Sequence, residues 1–268
     1  MFIVHSDRLL RAFAVVLTTV VSGAVPAHAG PQAGAAPATT AQAPAAQAAP
    51  HIYRVSVFRA AAGQMRNVEK LLASTPAPGA DAGDFAVVFR HRQGHEWDFM
   101  TVEHMGARAT VGMPSGPPAT ADSPMSQSVA WHGDTYAAGP PLEEFRRTLN
   151  LQGATGQGAG STPGVYVVSD YAAAPGHRGQ LRQVLDKNAA DTPGRSLTLT
   201  HVQGAPWTFL VITRYDSWRQ FAEEEEKAGA QDAKAPATDR GLELREHLGN
   251  HHDTLATVQT VVSGATTP

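Results

Sequence analysis

Histidine and aspartate stand close together at two places in the sequence, in a pattern that repeats. The pattern H-x-D-T-x-A covers residues 132–137 and again residues 251–256. A carboxylate that orients an imidazole tunes it as a general base or as a metal ligand. Aspartate followed by threonine also starts strands and bonds backbone amides in Asx turns. The pattern therefore predicts either chemistry at His132 with Asp134 and at His251 with Asp253, or a structural role for both pairs.

A second pattern, H-x-Q-G-x-x-W-x-F, covers residues 91–99 and 201–209, an offset of 110 residues. Its histidines precede a Gln-Gly turn, where an imidazole either fixes the turn or faces a cavity. Its aromatic residues either pack in a core or line a small-molecule pocket. From the two patterns together, the candidate ligand-binding residues are His91, Trp97, Phe99, His132, Asp134, His201, Trp207, Phe209, His251 and Asp253.

Several other chemistries lack the residues they require. The chain has no cysteine, which excludes thiolate nucleophiles and disulfides, and it has no G-x-S-x-G motif. The glycine-rich stretch 153–164 lacks the lysine and hydroxyl residue of a phosphate-binding loop. His247 and His251 have the spacing of two zinc ligands on one helix face. Gly249 and Asn250 interrupt that helix, so the sequence predicts no metal and no cofactor.

Strand and helix signals in the first half follow one order. Residues 51–59 and 84–91 are rich in β-branched and aromatic side chains and predict strands. Between them, apolar residues at helical spacing predict a helix over residues 63–74, which Pro76 ends. Strands are also predicted over residues 97–104 and 129–138, with a short helix over residues 141–149.

The second half repeats this order. Strands are predicted over residues 165–171, 196–201, 207–214 and 254–262. One helix is predicted over residues 177–188, and another follows Asp216 or Ser217, either of which is a suitable N-cap. A polar stretch over residues 229–239 interrupts the pattern before residues 240–247. Each half therefore has the β-α-β-β-(α)-β order of a ferredoxin-like unit.

Alternation along the third strand predicts how the halves meet. Trp97 and Phe99 are expected on one face, with Met100 and Val102 on the other. Because both faces are apolar, helices must cover one face and the partner half must cover the other. The predicted fold is α+β: two tandem ferredoxin-like (βαββαβ) repeats, residues 51–150 and 165–264, packed sheet to sheet as a pseudo-dimeric α/β barrel. Residues 151–164 are the expected glycine-rich linker.

In this arrangement the chain resembles the dimeric α/β-barrel (ferredoxin-like) superfamily, as a tandem-repeat member of an uncharacterised exported family. The segment Arg214-Tyr215-Asp216-Ser217-Trp218-Arg219-Gln220-Phe221, a strand that runs directly into a helix, is similar to that junction in many members. The superfamily includes cofactor-independent monooxygenases, haem-degrading enzymes and isomerases. The resemblance implies the fold and carries over no catalytic residue.

The amino-terminal region has the features of a secretory signal peptide over residues 1–29. Arg8 and Arg11 precede an uncharged apolar run, and Ala27-His28-Ala29 is a small-x-small cleavage site. Residues 30–50 are almost wholly Ala, Pro, Gln, Gly and Thr, which predicts a disordered linker. Removal of the signal leaves a net charge of −4, which argues against nucleic acid. The expected location is periplasmic or secreted, without membrane insertion after cleavage.

Two functions fit these features. The first is an exported small-molecule-binding or structural pseudo-dimer whose partner is a small apolar or aromatic ligand. The second is an exported enzyme of monooxygenase or isomerase type that uses a His-Asp pair beside an aromatic-lined cavity. The position of the histidines relative to Trp97 and Trp207 in the folded chain separates the two hypotheses.

Overall fold

The folded region contains both strands and helices, and the two hairpins β2–β3 and β6–β7 are each preceded by a helix. The structure is a computed structural model that describes residues 49–74, 85–107, 123–152, 164–192, 194–234 and 240–263. The first half comprises β1 (His51–Ala60), α1 (Met65–Ser74), β2 (Phe85–Gln93), β3 (Phe99–Ala107), α2 (Pro124–Ser128), β4 (Val129–Gly139) and α3 (Leu142–Thr148). The second half comprises β5 (Val165–Ala173), α4 (Arg178–Asp191), β6 (Ser196–Gln203), β7 (Phe209–Tyr215), α5 (Trp218–Lys234), α6 (Arg240–Arg245) and β8 (Leu248–Ser263).

The eight strands of the described residues form one antiparallel sheet that closes into a barrel. The order around the barrel is β1-β3-β2-β8-β5-β7-β6-β4. The first-half strands are therefore adjacent in the order β4-β1-β3-β2, and the second-half strands in the order β8-β5-β7-β6. Hydrogen-bonded pairs β2–β8 and β4–β6 connect the two groups. The predicted α+β barrel is confirmed, and its two groups of strands are joined edge to edge as well as facing each other.

The barrel interior is packed with side chains from both halves. Tyr53 on β1 and Tyr166 on β5 are fully buried members of one hydrophobic cluster. Their hydroxyls donate to the backbone carbonyls of Pro140, at 2.8 Å, and Leu149, at 3.0 Å. Burial raises the pKa of Tyr166 to about 12, so its hydroxyl remains a hydrogen-bond donor at neutral pH. These bonds attach the ends of β4 and α3 to the interior, because a buried hydroxyl requires a partner.

Helices cover the outer face of the sheet. Val68 and Leu72 of α1 pack against Val88 and Phe99. In the second half, Leu181 and Leu185 of α4 pack against Phe209 in the same way. Phe99 and Phe209 are therefore core residues that hold helices on the sheet.

The prediction that Trp97 shares a face with Phe99 is wrong. Trp97 is 5% exposed and belongs to the interior cluster, whereas Phe99 packs outside against α1. Trp207 likewise packs against the interior cluster while Phe209 lies outside. Strands β3 and β7 begin only at the phenylalanines. Side chains alternate only along extended backbone, so the alternation does not include the tryptophans.

The helix after Trp218 is longer than predicted. Its N-terminus agrees with the expected cap, because the Ser217 hydroxyl accepts the Gln220 N–H at 3.1 Å. It continues to Lys234 through Gly229, where the sequence predicted a polar interruption. An exposed helix tolerates one glycine at a cost of about 1 kcal/mol, so glycine alone does not end it.

The predicted signal peptide lies outside the described residues, as do most of the Ala/Pro-rich and Gly-rich linkers. Within the described ranges, no helix is long and apolar enough to cross a membrane.

A histidine pair near the start of β1 makes the stability of the protein depend on pH. His51 Nδ1 and His104 Nε2 lie 2.7 Å apart, so one donates to the other. Burial, and secondly the neighbouring His51, lower the pKa of His104 to about 4. The unfolded chain, with a histidine pKa near 6.5, binds this proton more readily between pH 6.5 and 4. Stability is therefore lost as the pH falls through that range.

We expect this contribution to be on the order of 2 kcal/mol between pH 7 and pH 4.5, because solvent screens the half-buried His104. Urea unfolding of the wild type and of His104→Gln at pH 7 and pH 4.5 measures this contribution. The two proteins differ only at residue 104 and in the surroundings of its direct neighbours, so the other titrating groups contribute equally to both. The wild type is expected to lose more stability on acidification than the variant. Equal losses in the two proteins would contradict the assignment.

Candidate functional site

The H-x-Q-G-x-x-W-x-F motif forms a hairpin turn in both halves. In the first half it connects β2 with β3, and the His91 N–H donates to the Asp98 carbonyl at 2.9 Å. In the second half it connects β6 with β7, and the His201 N–H donates to the Thr208 carbonyl at 3.0 Å. The backbone of each histidine therefore fixes its turn, and the imidazole remains available for another role.

The first turn lies directly against the H-x-D-T motif of the second half. Gly94 has a φ of 119°, and a Cβ atom added to it would overlap the Asp253 carbonyl oxygen and lie 2.8 Å from the Thr254 Cα. The next residue, His95, donates its N–H to Thr254 Oγ1 at 3.3 Å. We call this contact of residues 94–95 with residues 253–254 the β8 junction. It requires glycine because only glycine allows so close a backbone approach.

The second turn makes the corresponding contact with the first half. Gly204 has a φ of 115°, and an added Cβ would overlap the Asp134 carbonyl oxygen and lie 2.8 Å from the Thr135 Cα. The Ala205 N–H donates to Thr135 Oγ1 at 3.1 Å. We call this contact of residues 204–205 with residues 134–135 the β4 junction. The glycines and threonines of the two repeated motifs thus join the halves, whereas the histidine and aspartate side chains remain candidates for chemistry.

The motif histidines lie beside the motif tryptophans on the interior side of the barrel. Ring centroids are 5.7 Å apart for His91 and Trp97 and 5.5 Å apart for His201 and Trp207. Burial is the main cause that lowers the pKa of both histidines, so both are neutral at pH 7. In each ring, Nε2 is buried without a hydrogen-bond partner among the described residues.

A cavity of about 280 Å³ lies on the outer face of the first-half strands, where α1 and α2 cover them. Its apolar wall consists of Phe58, Leu72, Ala86, Val88, Met125, Val129 and Val262. Its polar residues are Arg54, Ser56, Thr101, Glu103, Ser123, Ser126, His132 and Asp134. An apolar wall with a few polar groups is typical of small-molecule sites, whose volumes are roughly 300–1,000 Å³. We call this space the first-half cavity.

A partly buried ion pair crosses the wall of the first-half cavity. Arg54 on β1 and Glu103 on β3 are direct cross-strand partners, and Arg54 Nε donates to Glu103 Oε2 at 2.6 Å. Glu103 is only 6% exposed. A charge pair held on two adjacent strands is fixed in position, so it presents a polar group of constant geometry within an apolar surface.

His132 and Asp134 lie at the exposed part of the same cavity. They are two residues apart on β4 and share its outer face, with Phe58 and Ser56 as their cross-strand partners. The Phe58 and His132 rings are stacked, with centroids 6.2 Å apart and an interplanar angle of 16°. This histidine-aspartate pair therefore faces a cavity in which Phe58 supplies the aromatic surface. Trp97 lies on the opposite face of the sheet.

Of the second H-x-D-T pair, Asp253 lines a cavity of about 580 Å³ between the second-half strands and α4 and α5. Ser169 Oγ donates to Asp253 Oδ1 at 2.5 Å, and His251 Nε2 lies 3.6 Å from Asp253 Oδ2. The Tyr171 ring stacks on His251 at 5.9 Å. A serine nucleophile requires the imidazole beside its own hydroxyl. Here the aspartate stands between the two, so the geometry does not activate Ser169.

One cluster of side chains was missed by sequence reasoning. His95, Asp170 and His252 bring one nitrogen or oxygen atom each within 4.8 Å of one another. His252 Nδ1 is 3.2 Å from Asp170 Oδ1, and the His95 and His252 rings meet edge to face at 4.5 Å. Three separate elements supply these residues, so no spacing in the sequence marks the cluster. His247, which the sequence paired with His251, instead contacts His177 at 3.0 Å between Nδ1 atoms.

Comparison with known proteins shows likeness in fold. No protein-family model matches the chain, and no curated protein matches it. The crystal structure of an anthrone oxidase-like protein aligns with 80% of this chain and 94% of its own, with a TM-score of 0.54 and 9% identity.

The crystal structure of a candidate monooxygenase from Fusobacterium nucleatum subsp. nucleatum ATCC 25586 aligns with 81% of this chain and 96% of its own. Its TM-score is 0.51 and its identity 6%. Both likenesses agree with the dimeric α/β-barrel type of fold. At such identities they carry no residue roles to this chain.

Proposed function

We propose that the protein binds a small, mostly apolar molecule in the first-half cavity. The observation that carries this proposal is the apolar wall crossed by the partly buried Arg54–Glu103 pair. Burial of apolar surface supplies affinity at roughly 25 cal/mol per Å². A polar group on the ligand, such as a phenol hydroxyl or a ketone oxygen, takes its orientation from the ion pair and from Thr101 and Ser56.

The test is binding of 1-naphthol, measured by its fluorescence in titrations of the full chain. Ala86 is 7% exposed and lines the cavity, so Ala86→Leu places three more carbon atoms in the binding space. We expect the variant to bind at least about tenfold more weakly, a loss of about 1.4 kcal/mol.

The matched control is Ala228→Leu, because Ala228 lines the second-half cavity. We expect this variant to bind 1-naphthol as the wild type does. Urea unfolding curves show whether both variants are folded. If a folded Ala86→Leu protein retains full affinity, the first-half cavity is not the binding site.

A second candidate function is oxidation of the bound molecule. His132 and Asp134 favour it, since they bring a candidate base to the same cavity, and both structural neighbours carry oxidase or monooxygenase names. For a substrate such as anthrone, His132 takes a proton from the activated CH₂ group. Dioxygen then accepts electrons from the carbanion, and one oxygen atom enters the product ketone while the other leaves as water.

Oxygen uptake with anthrone distinguishes this second function from binding alone. If the protein catalyses the oxidation, oxygen uptake exceeds the uncatalysed rate. We expect His132→Gln to lose this excess uptake and to retain its affinity for 1-naphthol. Uptake that is equal in the wild type and the variant would exclude His132 as the base and leave the binding function.

We also propose that the chain is a tandem of two ferredoxin-like units that is exported after cleavage behind Ala29. The corresponding strand orders of the two halves and the matching β8 and β4 junctions support the tandem. The charged, apolar and small-x-small segments before residue 30 support the export. The mass of the mature chain, isolated from its native host, tests the cleavage position.

A further inference from the structure

We propose that His95, Asp170 and His252 form a binding site for a divalent transition-metal ion. Two imidazoles and one carboxylate suit Zn²⁺, Fe²⁺, Co²⁺ or Ni²⁺, whereas Mg²⁺ and Ca²⁺ prefer oxygen ligands alone. The ligand atoms already lie within 4.8 Å of one another. The site is distinct from the first-half cavity, so it does not depend on the proposed ligand binding.

Two of the ligands are held by the sheet itself. Asp170 on β5 and His252 on β8 are direct cross-strand partners, and their ligand atoms Oδ1 and Nδ1 are 3.2 Å apart. In a tetrahedral zinc site with bonds near 2.0–2.1 Å, donor atoms are about 3.3 Å apart. The separation of this pair therefore already matches an ion between them, and binding replaces their hydrogen bond with two metal bonds.

The β8 junction positions the third ligand. His95 follows Gly94, whose backbone lies against Asp253, and its own N–H is bonded to Thr254 Oγ1. Its Nδ1 is buried and has no hydrogen-bond partner among the described residues. A buried polar nitrogen without a partner is unfavourable, and a bond to a metal ion would satisfy it.

The corresponding place at the β4 junction has no ligand. The sequence offsets and the strand register put Ala205 in the position of His95, Val57 in that of Asp170, and Gly133 in that of His252. Both junctions have the same backbone contacts, so closure of the barrel does not require these three side chains. Their presence at one junction only is the pattern expected of a function added to a structural contact.

An ion can reach the cluster from solvent. The His252 side chain is 42% exposed and the Asp170 side chain 26% exposed. Three protein ligands leave a fourth position for water or another small molecule, as in metal sites that are open to exchange.

The experiment uses the full chain after treatment with EDTA. Isothermal titration with Zn²⁺ is expected to show one site per chain, and titration with Co²⁺ is expected to give the visible absorption bands of a four-coordinate ion. Mg²⁺ and Ca²⁺ in excess should not displace either metal. The melting temperature should rise with Zn²⁺ because the ion binds the folded state.

His95→Ala introduces the residue found at the β4 junction, and we expect it to weaken Zn²⁺ binding at least about tenfold and to remove the Co²⁺ bands. Asp170→Ser tests the second ligand in the same way. The matched control is His251→Ala, which removes the adjacent histidine on the outer face of β8. This control should leave Zn²⁺ affinity unchanged.

Circular dichroism establishes that each variant is folded, and His95→Gln replaces His95→Ala if the alanine variant is not. The proposal is overturned if the wild type binds no Zn²⁺, or if folded variants at both His95 and Asp170 bind it as tightly as the wild type. Loss of affinity in His251→Ala alone would place the metal at another histidine cluster and would also overturn it.

Discussion

Replacement of Gly94 by alanine is expected to lower the free energy of unfolding by about 3–5 kcal/mol, because two penalties combine. The φ of 119° is unfavourable for any residue with a Cβ atom, and that atom would overlap the Asp253 carbonyl oxygen. The contact is between two backbones, so a rotamer change cannot relieve it. Since small domains are stable by only about 5–15 kcal/mol, the variant retains little stability. Urea unfolding monitored by circular dichroism measures the loss.

Gly63→Ala is the matched control for this substitution. Gly63 also has a positive φ, 77°, but an added Cβ would meet nothing within 4 Å. It therefore carries only the conformational penalty, about 1 kcal/mol. Gly204→Ala at the β4 junction should match Gly94→Ala, because the overlap with Asp134 is of the same kind. A loss in Gly94→Ala no larger than that in Gly63→Ala would show that the β8 junction does not constrain the barrel.

Phe89→Ala is expected to lower the free energy of unfolding by about 3–5 kcal/mol, the usual cost of deleting a fully buried aromatic ring. Phe89 of β2 is 0% exposed and meets Tyr166 of β5 edge to face, with ring centroids 5.3 Å apart. The ring thus connects the two halves through the interior. Its removal loses the transfer free energy of the ring and leaves a cavity that rigid strands cannot close. The shift in urea midpoint, at constant slope, measures this change.

Two variants bracket this result. Phe89→Leu keeps most of the buried volume and should cost clearly less than the alanine variant. Trp131→Ala removes a larger side chain that is 49% exposed, and should change stability by no more than about 0.5 kcal/mol. If Phe89→Ala were as mild as Trp131→Ala, the barrel interior would not be packed as described.

Local sequence signals were sufficient for the order of the eight strands, but they missed the short helix α2 before β4. The β-branched and aromatic runs predicted strands close to β1, β2 and β4, and apolar spacing predicted α1 and α4. The repeated motifs correctly marked the two hairpin turns. Their glycine could be read as a turn residue, but its contact with Asp253 could not, since that contact depends on which strands become neighbours.

The sites were less predictable because they are tertiary. Trp97 was placed on the wrong face, because β3 begins only at Phe99 and the alternation of side chains does not extend back to Trp97. The first-half cavity depends on how α1 and α2 sit on the sheet. The cluster of His95, Asp170 and His252 depends on the β5–β8 register. Two of its members, His95 and His252, lay inside the recognised motifs, but at positions that the motifs leave variable.

Closure of the barrel through β2 and β8 has a consequence for the order of folding. Phe85 at the start of β2 pairs with Ser263 at the end of β8, so every other strand of the barrel is synthesised before β2 gains its second neighbour. Contacts between residues so distant in sequence form slowly, because the entropy of loop closure must be lost first. We therefore expect the nascent chain to lack a closed barrel until β8 has left the ribosome.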